Sequence, residues 1–493
     1  MADPSAPTDD AGQARAARIG LFLGPALFFA FFLAPAPEGL AAPAWRVAAV
    51  AALMAVWWLT QAIPLPATGL LPAVLFPLLG IGGAGAATAP YAHPLVFLFL
   101  GGFVVALTLE RWNLHRRLAI AVISLAGTRP DRLVAGFMIA TAGLSMWVSN
   151  TATTLMMVPI ALSVVALIDR RDEAAPPGPE TDVDRFARAL LLAVAYAASI
   201  GGLATLIGTP PNAFLAGYMA QNHGIEIGFA KWMALGLPVT LVMLVLAWLV
   251  LTRLLYPVRG LDLSLVRAGM AEERKRLGAP QKGEVLTGAL FACVALAWVF
   301  RPLLDDYVPV NDTGIALIGA LAAFVIPVSL KDRVFLMDWD TAKRLPWGIL
   351  LLFGGGLSLA DAIADTGLAA WLGAQVGGLG ALPLIALLLL ITGLVVFLTE
   401  LTSNTATAAV FVPVAASLAV SLGHPPLLFA VPVALAASCA FMMPVATPPN
   451  AIVFAAGRLA VIHMCTAGFL LNLAATGIIA AAALWLAPLL FPA

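Results

Sequence analysis

Ser149-Asn150-Thr151-Ala152-Thr153 decides the fold, because the same five residues recur 254 positions later as Ser403-Asn404-Thr405-Ala406-Thr407. The same offset, without a gap, aligns further identical residues: Gly101-Gly102 with Gly355-Gly356, Leu114 with Leu368, Pro159 with Pro413, and Ser163 with Ser417. Between 145–163 and 399–417, nine of nineteen positions are identical. Asn and Pro are among these positions, so apolar composition alone does not explain the match, and the chain contains an internal repeat.

Each repeat carries a second motif downstream of the first. Gly208-Thr209-Pro210-Pro211-Asn212 in the first half corresponds to Ala446-Thr447-Pro448-Pro449-Asn450 in the second. The first half is 16 residues longer between its two motifs, and a charged, proline-rich stretch at 169–188 has room for this insertion. Exposed loops tolerate insertions, so both halves are predicted to share one architecture.

The composition is that of a membrane protein. Of 493 residues, 62% are hydrophobic and 11% charged, whereas soluble domains are about 45–50% apolar and about 25% charged. The 26 basic and 26 acidic residues balance, which gives no indication of a nucleic-acid partner. Cys293, Cys439 and Cys465 are widely spaced in apolar runs and fit neither a disulfide framework nor a metal site.

Hydropathy predicts an all-α polytopic membrane protein with about 11 transmembrane helices and two re-entrant hairpins. A crossing helix needs about 20 apolar residues. The predicted crossings are 19–34, 44–62, 66–82, 94–109, 190–220, 233–252, 285–300, 313–330, 348–375, 428–457 and 468–490. The apolar stretches 133–168 and 383–421 contain a polar Ser-Asn-Thr at their centre and are therefore predicted to be re-entrant hairpins.

The distribution of basic residues predicts a cytoplasmic N-terminus in the cell (inner) membrane. With that orientation, only Arg46, Lys231 and Arg301 of the 26 basic residues fall outside. Arg15 and Arg18 before an apolar run also fit a signal peptide. The polar segment that precedes this run is, however, longer than is usual in a signal peptide. Five crossings separate the hairpins, which places them on opposite sides and predicts two inverted-topology repeats of an alternating-access transporter.

The two motifs have a chemical meaning beyond their repetition. Thr-Pro-Pro-Asn should break an apolar helix, with Thr as the N-cap and Pro at the first helical position. Ser-Asn-Thr should begin a helix with a small polar cap. One such motif alone is as well explained by a proline kink. Four together would present helix N-termini to carboxylates and free carbonyls to a cation.

The charge count indicates what is bound. The stretches 133–168, 190–222 and 383–457 contain no Lys or Arg, and Glu400 is their only ionisable acid. A bound dianion would have no basic side chain to neutralise it, and burying it uncompensated is prohibitive. Oxygen ligands from Ser, Thr, Asn and carbonyl groups suit sodium better than a transition metal. We therefore predict co-transported sodium ions.

These residues resemble the divalent-anion:sodium symporter family (DASS) of the ion transporter superfamily. Supporting stretches lie at 57–64, 99–103 and 438–450, and the similarity covers nearly the whole chain. The resemblance implies a first sodium site at Ser145, Ser149, Asn150 and the carbonyl of Gly208, and a second at Thr399, Thr402, Asn404 and Ala446. It implies substrate contacts from Asn150, Thr151, Asn404 and Thr405, with Thr209, Pro210, Thr447 and Pro448 shaping the pocket.

The resemblance also implies a homodimer in which a transport domain moves as an elevator against a scaffold. The predicted parts are an N-terminal tail (1–18), a scaffold part and a transport part in repeat 1 (19–130 and 131–257), a linker (258–284), and a scaffold part and a transport part in repeat 2 (285–378 and 379–493). One departure is Gln61, where the family pattern has an acidic residue. We expect Gln61 to affect scaffold packing or a salt link.

The expected function is sodium-coupled symport of a C4-dicarboxylate such as succinate, malate or fumarate. A sodium-independent dicarboxylate or tricarboxylate exchanger and a sodium:sulfate symporter of the same fold are the alternatives. An enzyme is not expected, because no nucleophile or zinc motif occurs. Glu110 and Glu400 are expected to hold helix ends rather than carry protons, and the five scattered histidines form no metal site.

Overall fold

The computed structural model describes residues 9–127, 129–172, 181–258, 261, 263–304, 310–375 and 382–491. Nearly all regular structure in these ranges is helical, because a helix satisfies its own backbone polar groups in a bilayer. Parts of the predicted tail (1–8), of the insertion loop (173–180), of the linker (259, 260 and 262) and of the boundary at 378 (376–381) lie outside the described residues.

The first half of the chain contains twelve of the described helices. They are α1 (Asp9–Leu33), α2 (Ala42–Thr60), α3 (Leu65–Thr68), α4 (Leu71–Leu78), α5 (Ala84–Thr88), α6 (Pro94–Arg111), α7 (Leu114–Leu125), α8 (Pro130–Ser145), α9 (Asn150–Asp172), α10 (Asp182–Gly202), α11 (Pro210–His223) and α12 (Phe229–Leu249). A 3-10 turn at Ala89–Ala92 precedes α6, and a π-helical turn at Val250–Leu255 extends α12.

The second half contains the other twelve described helices and a two-stranded ribbon. The helices are α13 (Ser264–Arg276), α14 (Lys282–Leu304), α15 (Asp312–Val325), α16 (Trp339–Ala342), α17 (Trp347–Asp365), α18 (Leu368–Gln375), α19 (Leu384–Leu398), α20 (Asn404–Ser421), α21 (Leu427–Ala436), α22 (Pro448–Ala455), α23 (Val461–Ala481) and α24 (Ala487–Leu490). The antiparallel strands are β1 (Pro327–Ser329) and β2 (Val334–Phe335). A π-helical turn at Ala482–Leu486 follows α23.

Two predicted crossings are wrong as single helices. The stretch 66–82 is divided between α3, α4 and the turn that follows, because the prolines and glycines within it interrupt the helical hydrogen bonds. The stretch 348–375 is divided into α17 and α18 by a turn in which Gly367 has φ +80°. Summed hydropathy does not register either interruption.

The number of long apolar helices also differs from the predicted eleven crossings. Among the described residues, nine helices are long and apolar enough to cross a membrane. Two of these, Asn150–Ile168 and Asn404–Ser421, are the second arms of the predicted hairpins. The predicted crossings at 66–82, 190–220, 313–330 and 428–457 are missing from the nine, because each is interrupted or shorter than an ideal span.

The helix starts and the helix breaks lie where the two motifs predict them. The second arms α9 and α20 begin at Asn150 and Asn404, which keeps the offset of 254 residues. The half-helices α11 and α22 begin at Pro210 and Pro448. Both final helices of the repeats, α12 and α23, continue into a π-helical turn. The two halves are therefore alike in the order and bounds of these elements.

The centre of the protein is formed by one half-helix from each repeat. Helix α10 is buried throughout Ala189–Gly202, and α21 is buried along its whole length. Helix α9 packs against α22, whereas α20 packs against α11, so each hairpin contacts the broken helix of the other repeat. The motifs of both repeats are thereby brought to one region.

The glycines aligned by the repeat allow close packing between the halves. A Cβ placed on Gly101 would lie 2.6 Å from the carbonyl carbon of Ala316 in α15, and one placed on Gly355 would overlap the carbonyl group of Gly69. Each glycine thus packs its helix against backbone of the other half. A side chain larger than hydrogen at either position must move that backbone.

We expect Gly355→Ala to lower the thermal unfolding midpoint of the purified protein, because the added methyl group meets backbone that cannot rotate away. Gly477→Ala is the matched control, since Gly477 also lies within a helix but, its sequence neighbours and own helix backbone apart, no heavy atom lies within 4 Å of its added Cβ. The control should be neutral or slightly stabilising, as Ala favours the helix over Gly by up to about 1 kcal/mol. Equal midpoints for the two variants would contradict the packing described here.

Candidate functional site

The tips of the two hairpins place small polar side chains at the start of a helix. In the first hairpin, the N–H of Ala152 donates to Ser149 Oγ at 3.2 Å, as expected for a polar cap. In the second, Ser403 is the N-cap of α20 but its side chain makes no capping hydrogen bond. The capping predicted from Ser-Asn-Thr is therefore confirmed in the first repeat and wrong in the second.

The first hairpin brings three oxygen atoms together. Ser145 Oγ lies 2.6 Å from Asn150 Oδ1 and 2.7 Å from the carbonyl oxygen of Ala198. A serine hydroxyl carries one hydrogen, so it can donate to only one of these acceptors at a time. A Cβ built on Gly202 would lie 2.9 Å from Asn150 Oδ1 and 3.1 Å from the Gly208 carbonyl oxygen. Three of the four predicted ligands, Ser145, Asn150 and Gly208, thus lie in one region.

The second hairpin repeats this arrangement with a threonine. Thr399 Oγ1 lies 2.9 Å from Asn404 Oδ1 and 2.8 Å from the carbonyl oxygen of Ala437. The other two predicted ligands make different hydrogen bonds: Thr402 Oγ1 lies 2.7 Å from Thr407 Oγ1, and the N–H of Ala446 donates to Met443. Thr399 and Asn404 are therefore brought together, and Thr402 is engaged within its own hairpin.

The breaks at 203–209 and 437–447 have the backbone expected of Thr-Pro-Pro-Asn. Thr209 and Thr447 are both extended, with φ −146° and −141°, and proline follows each at the first helical position. Thr447 Oγ1 accepts from the N–H of Asn450 at 3.3 Å, as an N-cap does. Thr209 makes no cap, and its hydroxyl instead pairs with Ser438 Oγ of the other repeat at 3.1 Å. The cap prediction holds only in the second repeat.

The predicted substrate contacts are partly accessible. The hairpin residues are all half-buried, namely Asn150, Thr151, Asn404 and Thr405. In the breaks, Pro210 is half-buried and Pro448 is exposed, whereas Thr209 and Thr447 are buried. The start of each hairpin arm is therefore partly accessible to a ligand, whereas the two break threonines are not.

Glu400 has a role that the sequence indicates only in outline. Its buried carboxylate accepts the N–H groups of Phe441, Met442 and Met443 at 2.7–3.0 Å and the amide of Asn472 at 2.7 Å. The charge of this carboxylate is compensated by these donors, and they join the second hairpin to the second break. This geometry agrees with the expectation that Glu400 holds a helix end.

The remaining candidate residues make contacts of other kinds. Glu110 faces Arg344 at 4.0 Å, which fits an ion pair at the end of α6. His93 caps α6 by accepting from the N–H of Leu95. Gln61 ends α2 in a left-handed conformation, with φ 51°. Among the described residues, no group of three or more His, Cys, Asp or Glu side chains could hold a metal ion.

Sequence reasoning missed several groups that complete the region. The carbonyl oxygens of Ala198 and Ala437 lie beside the two hydroxyl groups, and Ser438 and Asn472 supply further bonds. A backbone carbonyl has no residue-type signal, so the alanines could not have been selected. The offset that aligns Gly208 with Ala446 pairs Ala198 with Ala436, one residue before Ala437.

Comparison with known proteins gives consistent matches over almost the whole chain. Residues 16–492 match the family described as the sodium:sulfate symporter transmembrane region. The chain is 41% identical over 478 residues to the sodium-dependent dicarboxylate transporter SdcS of Staphylococcus saprophyticus, covering 95% of this chain and 91% of that protein. A sodium-dependent dicarboxylate transporter SdcS of Staphylococcus aureus is also 41% identical, over 463 residues that cover 92% of this chain and 88% of that protein.

The structure also resembles a solved transporter. A crystal structure of the Alcanivorax borkumensis YdaH transporter, described as having an unusual topology, superposes with a TM-score of 0.55. The two chains are 17% identical, and the superposition covers 84% of this chain and 88% of the other. This likeness concerns the fold alone.

We expect Glu400→Gln to lower the thermal unfolding midpoint. The NH₂ group of the glutamine would face a backbone N–H group, which would lose the carboxylate oxygen that accepts its hydrogen bond. Each buried donor left unpaired costs about 1–3 kcal/mol. Glu110→Gln is the control and should have little effect, since its ion pair is long and partly exposed. A Glu400→Gln protein with unchanged stability whose transport no longer depends on pH would instead indicate a proton carrier.

Proposed function

The chain belongs to the sodium:sulfate symporter transmembrane family, and we propose that it carries a dicarboxylate across the membrane together with sodium ions. It is a transporter rather than an enzyme. The observation that carries the proposal is the pair of oxygen clusters at Ser145 and Thr399, which lie in stretches free of Lys and Arg. The dicarboxylate class is supported by the similarity to the two SdcS proteins.

The first cluster is the proposed site of one sodium ion. Its ligands are the side chains of Ser145 and Asn150 and the carbonyl of Gly208, and the carbonyl of Ala198 lies within reach. Ser149 remains a proposed ligand whose hydroxyl now accepts from Ala152. Sodium would be held by oxygen atoms alone, which are the ligands that hard cations prefer.

The second cluster is the proposed site of another sodium ion. Thr399 and Asn404 already lie together. The carbonyl of Ala446 and the hydroxyl of Thr402 are proposed to complete the site, which for Thr402 requires a turn away from Thr407.

The substrate is proposed to bind where the two hairpin tips meet the breaks. One carboxylate would be held by Asn150 and Thr151 and the other by Asn404 and Thr405. The break residues Thr209, Pro210, Thr447 and Pro448 would shape the surrounding pocket.

Coupling follows from the charges. A dianion entering a region without basic side chains is stabilised by the bound cations and by the positive ends of α9 and α20. Substrate affinity therefore rises when sodium occupies its sites, and by linkage the affinity for sodium rises with substrate. Each ligand thus strengthens the binding of the other, which couples their movement across the membrane.

We further propose that the two repeats are inverted in the membrane, with about eleven crossings and a cytoplasmic N-terminus in the cell (inner) membrane. The transport parts (131–257 and 379–493) would move as an elevator against the scaffold parts (19–130 and 285–378) of a homodimer. The support is the internal repeat, the bias of basic residues and the contact of each hairpin with the opposite break.

We expect proteoliposomes containing the purified protein to accumulate radiolabelled succinate when an inward sodium gradient is imposed. Uptake should fall to background when choline replaces sodium, because only a bound cation offsets the dianion. Excess unlabelled malate or fumarate should compete more strongly than sulfate or citrate. Uptake that persists in choline and requires dicarboxylate inside the vesicles would contradict symport and indicate an exchanger, whereas strong competition by sulfate would indicate the sulfate alternative.

We expect Thr405→Val to raise the KM for succinate about 5- to 20-fold, because loss of a hydrogen bond to a charged group costs about 1.5 kcal/mol or more. The valine has nearly the shape of threonine, so folding should be spared. Thr466→Val is the control, since Thr466 is exposed and bonds its own helix at Ile462. An unchanged KM in the Thr405 variant would contradict the proposed pocket.

A further inference from the structure

The last residue of each Thr-Pro-Pro-Asn motif spans its helix break. Asn212 Nδ2 lies 3.0 Å from the carbonyl oxygen of Gly202 and 2.8 Å from that of Thr205. In the second repeat, Asn450 Nδ2 lies 3.2 Å from the carbonyl oxygen of Ala440 and 3.0 Å from that of Met443. Both asparagines are fully buried, at 0% exposure.

These contacts use the donor end of each amide. The neighbouring atoms are carbonyl oxygens, which only accept, so the NH₂ group with its two hydrogens must face them. The ending of a helix leaves its last carbonyls without partners. The unwound residues of a break likewise lack helical partners for their carbonyl groups. Each asparagine therefore satisfies two carbonyl groups at the helix end or within the break, and it does so from the helix on the far side of the break.

In the first repeat, the anchored backbone adjoins the proposed cation ligands. A Cβ built on Gly208 would lie 2.5 Å from the carbonyl oxygen of Gly202, so the two glycine backbones are in direct contact. Gly202 also adjoins the amide group of Asn150. Displacement of Gly202 would therefore move both Gly208 and Asn150. Asn212 fixes Gly202 by the hydrogen bond to its carbonyl oxygen.

The second break is also held by a buried carboxylate. Glu400 binds three consecutive backbone N–H groups there, from Phe441 to Met443. The first break has no carboxylate of this kind among its described contacts and is held by single hydrogen bonds, from Trp232 Nε1 to the carbonyl oxygen of Leu203 at 3.1 Å and from Thr205 Oγ1 to that of Met146 at 2.5 Å. Loss of the asparagine should therefore disturb the first break more than the second.

We propose that Asn212 and Asn450 are positioning residues whose amides hold the breaks in the geometry that binds sodium. The inference rests on the proposed function and deepens it, since it assigns part of the sodium affinity to residues that need not touch the ion. Their substitution should weaken sodium binding more than it weakens the binding of the dicarboxylate at saturating sodium.

The test compares Asn212→Ala, Asn212→Ser and Asn450→Ala with the unaltered protein. Two measurements are made: the sodium concentration giving half-maximal succinate uptake, and the sodium concentration giving half-maximal thermal stabilisation of purified protein without succinate. Asn212→Ala should raise both by at least 5-fold, with the KM for succinate at saturating sodium changed less than 2-fold. Asn212→Ser retains one donor. For this variant and for Asn450→Ala, both half-maximal sodium concentrations should lie between those of Asn212→Ala and those of the unaltered protein.

Thr141→Val is the matched control, because it removes a buried hydrogen bond within α8 of the same repeat, from Thr141 Oγ1 to Phe137. A purely structural loss should lower its unfolding midpoint without moving either sodium curve. Unshifted sodium curves in folded asparagine variants would overturn the inference, as would failure of all three variants to fold. If the unaltered protein shows no sodium dependence, the proposed function itself fails, which is a separate outcome.

Discussion

A helix that is broken inside a membrane leaves backbone N–H and C=O groups that neither water nor lipid can satisfy. The two breaks of this protein meet that constraint with side chains of the chain itself. Asn212 and Asn450 donate to carbonyl groups, and Glu400 accepts from N–H groups. With those groups bonded, the backbone can remain unwound, which leaves other carbonyls and the starts of two half-helices available to the proposed ligands. The proposed sodium and substrate sites depend on this internal bonding.

The two repeats have similar oxygen clusters but differ in the residue that follows each cluster's hydroxyl residue. Ser145 and Thr399 make equivalent contacts with an asparagine and an alanine carbonyl. The residue after Thr399 is the buried carboxylate Glu400, whereas the residue after Ser145 is the uncharged Met146. The residue next in sequence to one cluster is therefore negatively charged, and the residue next to the other is not. The two proposed sodium sites are thus in different electrostatic environments, so equal affinities are not expected of them.

The sequence predicts where the helices of the hairpins and breaks begin, because small polar residues and prolines favour a helix start, although a capping hydrogen bond forms in only one repeat for each motif. It predicts the crossings less well at 66–82 and 348–375, where averaged hydropathy does not register prolines or a glycine in a left-handed turn. The contacts of Ala198 and Ala437 could not be predicted, since their carbonyl groups are brought into place by helices distant in sequence. The partners of Glu400 are likewise tertiary, although its burial without a basic residue could be read from the sequence.

The close packing of Gly101 on Ala316 and of Gly355 on Gly69 bears on how such a chain could have arisen. Each glycine buries its helix against the opposite half, and neither half contains the surface that its own glycine requires. A chain of half this length would leave both surfaces exposed unless a second copy covered them. Under the proposed inverted arrangement, that copy would have been inserted in the opposite direction. Gene duplication would then have joined two subunits that already depended on each other.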